Sequence, residues 1–153
     1  MSETSLSQLM AQILQKEYSC YEEMYFLSEK QLNLLISNSD DAIDEIADLM
    51  SRKKKIADSI PLLENQHVPI KKRWDNEYLS LSLEERDEIG KIRDSSLRLI
   101  ERLRVLEDEI YQRISQKKDH FRHRLSTLHQ GKAVQHAYFN TERLPPRFID
   151  KKK

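Results

Sequence analysis

Between Ser82 and His129 the chain reads SLEERDEIGKIRDSSLRLIERLRVLEDEIYQRISQKKDHFRHRLSTLH, with no proline and a single glycine, Gly90. Apolar residues recur along it at steps of three, four or seven for most of its length: Ile89, Ile92, Leu99, Leu103, Leu106, Ile110, Ile114, Phe121, Leu125 and Leu128. That is helical spacing, and at about 1.5 Å per residue it predicts one helix roughly 70 Å long. Such a helix cannot bury its stripe against itself. It requires partner helices, and any turns that outrun them must find apolar surface elsewhere. The stretch therefore points to an all-α fold and to a function in binding rather than in chemistry.

Two further helices are predicted upstream. Residues 5–37 place Leu6, Ile13, Cys20, Met24, Leu27 and Leu34 on one row and Met10, Leu14, Tyr18, Tyr21, Tyr25, Leu32 and Leu35 on the next. A stripe this wide predicts contact with two neighbours. Ser37-Asn38-Ser39-Asp40 supplies a turn with N-cap candidates, and Asp40, Asp41 and Asp44 suit the first turn of a second helix. That helix carries Ile43, Ile46, Leu49, Met50, Lys53, Ile56, Ala57 and Ile60 inward, antiparallel to the first. Pro61 predicts a kink or stop, with a short continuation to Gln66. Residues 67–81 then read as a connection that lays Trp74 against the bundle end, and Ser82-Leu83-Glu84-Glu85 has the spacing of a capping box. The expected fold is all-α: an elongated antiparallel three-helix bundle with helices near 5–37, 40–66 and 82–130. It makes a domain of residues 1–131, followed by a mobile basic tail at 132–153 that contains Pro145-Pro146.

Composition agrees. Of 153 residues, 34% are charged, with only 2 Gly and 4 Pro, which favours long helices over a β architecture. Mean hydropathy is −0.75, and no apolar run approaches the ~20 residues of a membrane span, so no membrane insertion is expected. The first ten residues show no basic n-region or compact apolar core of a signal peptide, and the single Cys20 cannot form an internal disulfide. A cytoplasmic location is the expectation. The zero net charge hides a gradient: residues 1–50 hold two basic and ten acidic side chains, whereas residues 113–153 hold eleven basic and three acidic. Such a gradient suits an anionic partner for the C-terminal third, or steering of a protein partner.

Signatures of catalysis are missing from the sequence: there is no glycine-rich phosphate loop, GxSxG or paired CxxC. His120 and His123 stand three apart with His129 beyond, a poor zinc pattern without an adjacent Glu. No enzyme, metal or cofactor is expected. Lys53-Lys54-Lys55 and Lys71-Lys72-Arg73 could meet phosphates, but no base-reading module accompanies them, so no specific nucleic-acid partner is expected.

Within the third helix, Arg113 and Lys117 stand where apolar residues are due, and the stripe resumes at Ile114, Phe121, Leu125 and Leu128. This offset resembles a stutter and predicts a rotated face. If the shorter helices pair along its N-terminal portion, the row Ile110, Ile114, Phe121, Leu125 and Leu128 is left for a partner.

The order of these features resembles the FlgN-type flagellar export chaperones. A tyrosine-bearing first helix followed by Asn38-Ser39-Asp40-Asp41-Ala42-Ile43 is similar to their first hairpin, and Met50-Ser51-Arg52-Lys53-Lys54-Lys55-Ile56 to their second helix. Leu81-Ser82-Leu83-Glu84-Glu85-Arg86-Asp87-Glu88-Ile89 resembles the opening of their long third helix, and Tyr138-Phe139-Asn140 falls where members carry an aromatic. The resemblance covers about residues 6–139 and departs after them, with Thr141 to Pro146 where members often have a glycine. It implies a cytosolic type III secretion chaperone. Such a protein holds the C-terminal helical segment of unassembled hook–filament junction proteins, here on the row from Ile110 to Leu128, and delivers them to the export gate, with Tyr138 and Phe139 as docking residues. The competing expectation is a self-associating coiled-coil adaptor or structural component of a secretion apparatus, and a homodimer is left open.

Overall fold

The computed structural model describes residues 4–37 and 42–117. Among them the order is α1 (Leu6–Ser37), α2 (Ala42–Glu77), a 3₁₀ turn at Tyr78–Ser80, and α3 (Leu83–Gln116), with no strand. Leu6, Met10, Ile13 and Leu14 of α1 share a lower apolar cluster with Trp74 of α2 and Ile89 of α3. Leu35 shares an upper cluster with Ala42, Ile43, Ile46 and Met50 of α2 and Ile110 and Ile114 of α3. α2 is therefore antiparallel to α1, and α3 runs parallel to it, so the bundle is up-down-up. A middle cluster joins Tyr21 and Met24, Ile60, and Leu99, Ile100 and Leu103. α1 is the central element: α2 and α3 each pack along it and touch one another far less. The two adjacent apolar rows of α1 serve these two neighbours, as their width predicts.

Of the kink or stop expected at Pro61, the stop does not occur, and residues 67–77 are helix rather than connection. α2 runs through both Pro61 and Pro69 to Glu77. The inner row explains this. Met50, Lys53, Ile60, Glu64, His67 and Trp74 are buried and recur at steps built from three and four, so the helical period never fails. It is masked because several inner residues are polar. Each proline removes one backbone donor, a cost of about 3 kcal/mol or more in a helix interior, and burial of the continuing row offsets it. Trp74 closes the lower end of the bundle as expected, but from within a helix.

Both described N-termini near the lower end are capped by side chains. At α1, the Gln8 N–H donates to Ser5 Oγ at 3.2 Å while the Ser5 N–H donates to Gln8 Oε1 at 3.0 Å. At α3 the expected capping box is present: the Glu85 N–H donates to Ser82 Oγ at 3.1 Å and the Ser82 N–H to Glu85 Oε1 at 3.0 Å. Arg86 fixes the preceding turn, donating to the carbonyls of Tyr78 and Leu79 at 2.9 and 2.8 Å. The expected extension of α3 to residue 130 and the tail at 132–153 lie outside the described residues.

Candidate functional site

The row proposed from sequence to await a partner divides in two. Ile110 and Ile114 are 0% and 3% exposed, packed into the upper cluster among Leu35, Ile43, Ile46 and Met50. They belong to the core, which corrects the expectation of an uncovered face at these positions. Two physical reasons account for it. α1 runs parallel to α3 and stays beside it up to Ile114, and the first turns of α2 return at the same end. The offset at Arg113 does not turn the stripe away, because Ile114 enters the same cluster as Ile110. Phe121, Leu125, Leu128, Tyr138 and Phe139 lie outside the described residues, as do His120, His123 and His129.

The upper end, where the described residues of α3 stop, has a defined chemistry. The Lys117 ammonium donates to the Leu35 carbonyl at 3.1 Å, a cation at the negative end of the α1 dipole. Ile36 is 54% exposed and Tyr111 38%, so apolar surface borders the closed core there.

Between the apolar clusters lie two buried polar layers. In the lower one, Glu17 of α1 meets α2: His67 Nδ1 is 2.6 Å from Glu17 Oε2, and the Lys71 ammonium is 2.8 Å from the same oxygen and 3.0 Å from Oε1. In the upper one all three helices contribute. Lys53 of α2 donates to Gln31 Oε1 of α1 at 2.9 Å and forms an ion pair with Glu107 of α3, and the Ser28 hydroxyl donates to that same carboxylate. Burial pushes the Lys53 ammonium below its ordinary range, while the charge of Glu107 and its hydrogen bond pull the other way. Lys53 was expected on the inner face. Glu17, Gln31, His67 and Glu107 were not, and the signal that could have found them is a polar residue standing at a three-or-four step where the row calls for an apolar one.

Little else in the described residues invites chemistry. Cys20 packs against the middle cluster, and burial, then the carboxylates of Glu23 and Glu17, push its thiol up, the opposite of an activating shift. A surface cleft of about 240 Å³ between α1 and α3 is lined by Gln15, Tyr18, Lys91, Ile92 and Ser95. Among the described residues no group of three or more His, Cys, Asp or Glu could hold a metal ion, and no helix is long and apolar enough to cross a membrane.

A family model described as FlgN protein matches residues 1–144. The chain belongs to the FlgN family. The match extends past α3 and takes in Phe121, Leu125, Leu128, Tyr138 and Phe139. With membership comes the role of a flagellar export chaperone, a protein that binds flagellar proteins, and the long-helix architecture of this FlgN chain suits it. Comparison with curated proteins found no match, and comparison with solved structures found none either.

Proposed function

We propose that this FlgN-family chain is a cytosolic type III secretion chaperone. It holds the C-terminal helical segment of unassembled hook–filament junction proteins and delivers them to the export gate. The observation that carries this reading is the level at which the bundle closes. Leu35, near the end of α1, and Ala42, at the start of α2, share one cluster with Ile114. Both covering helices therefore reach their ends beside that residue. In sequence the apolar row goes on with Phe121, Leu125 and Leu128. Each large apolar side chain gains about 1.5–3 kcal/mol when a partner buries it fully, and an amphipathic client helix supplies such cover with anchors at matching spacing. Masking that helix keeps the subunit from premature assembly, and the cost of ordering a disordered client lowers the affinity enough to permit release.

The test is the double variant Phe121→Ser/Leu125→Ser, assayed against a purified junction-protein C-terminal segment. Helix content and melting temperature should match the parent while client binding is lost. Unfolding, or loss of a homodimer with client binding retained, would place these residues in the core or in a self-interface and refute the site. Tyr138 and Phe139 are proposed as gate-docking residues: alanine at both should reduce export of the client in flagellated cells and leave its binding in solution unchanged.

A further inference from the structure

The inner rows of the three helices repeat at steps of three and four, and a seam of that kind is degenerate. Sliding one helix by seven residues, about 10 Å along its axis, lays apolar side chains against apolar side chains again. Pairing the same helix from two copies does so too. The polar layers remove this freedom. Among the described residues Glu107 is the one buried charged side chain of α3, and it meets Lys53 of α2 and Ser28 of α1. A seven-residue slide of α3, absorbed by unwinding its first turns, would bring Ile100 or Ile114 beside Lys53. It would also carry Glu107 into an apolar cluster, leaving two opposite charges buried and apart. Pairing α3 with α3 of a second copy in register would set Glu107 against Glu107.

We propose that the upper layer, Ser28, Gln31, Lys53 and Glu107, is an alignment lock that holds α3 at one height on α1 and α2 and reserves its seam for its own chain. The lower layer cannot replace it, because its contacts join α1 to α2 alone. The lock therefore fixes the height at which Gln116, the last residue of α3, stands on the other two helices. This inference does not depend on which segment holds the client.

The experiment replaces the whole layer in the full chain: Ser28→Ala, Gln31→Leu, Lys53→Met and Glu107→Leu, in a Cys20→Ala background. Spin labels are placed on cysteines at exposed Ser19 of α1 and Gln112 of α3. Double electron–electron resonance on the otherwise unaltered protein should give one narrow distance. The apolar variant should keep its helix content and show a second distance displaced by up to about 10 Å, or a dimer in sedimentation. A monomeric variant with the single original distance overturns the proposal. Loss of helix content overturns it as well, because the layer would then be a requirement for folding and not a selector of alignment. A second variant, Lys53→Glu/Glu107→Lys, keeps opposite charges across the layer and should retain the single distance; a split distance there also counts against the lock.

Discussion

Lys53 brings an ammonium into a core where water cannot reach it, and Glu107 makes that tolerable. Removing one partner of such a pair strands the other, which typically costs about 3–5 kcal/mol. Glu107→Ala should therefore lower the urea midpoint steeply, while the four-residue apolar replacement should leave stability equal or higher. The depressed ammonium also has a pH signature. Between its folded value and the ordinary one near 10.5, the unfolded chain holds a proton that the folded chain has released, so stability rises with pH across that window. Lys53→Met should lack this rise in urea titrations at stepwise alkaline pH. The position of Lys53 was legible because Met50 before it and Ala57 and Ile60 after it set the spacing. Glu17 and Glu107 were illegible to a search for apolar residues, since their burial depends on partners from other helices that no local pattern announces.

At the scale of elements, the helix start carried by local chemistry was legible, and the helix end set by tertiary packing was not. The capping box at Ser82 is written in four consecutive residues. Ser82→Ala should cost about 1 kcal/mol, read as a drop in melting temperature. The Glu85 carboxyl is held below its ordinary range by the backbone N–H of Ser82, then by the Ser7 and Ser82 hydroxyls. Its share of the cap is thus present at neutral pH and is lost as pH falls through that lowered value. In α2 the prolines argue locally for an end, but His67 and Trp74, buried against α1, hold the helix together beyond them. Pro69 is exposed and sacrifices no packing when changed, so Pro69→Ala restores a backbone donor at little loss. We expect it to stabilise the protein by about 1–3 kcal/mol, measured by thermal unfolding.

For the molecule as a whole, helix count and class followed from spacing, whereas the relative direction of α1 and α3 did not, because a 3.6-residue period reads the same from either end. That direction decides which part of the predicted row is core. Ile114→Ala should accordingly cost about 2–5 kcal/mol of stability and weaken client binding only through unfolding, in contrast to Phe121→Ser/Leu125→Ser. The central place of α1 has a further consequence for how the protein is born. Its hydroxyl at Ser28 waits for Glu107, 79 residues later. Among the described residues the contacts that complete α1 are thus among the longest in range, a feature that slows folding. On the ribosome α1 emerges first and must carry two unmatched apolar rows until α2 follows, and one of them until α3 has been synthesised. For that interval the nascent chain is itself an amphipathic helix in need of cover. Its yield in cells should therefore depend on ribosome-associated holding factors more than that of a bundle built from sequential hairpins.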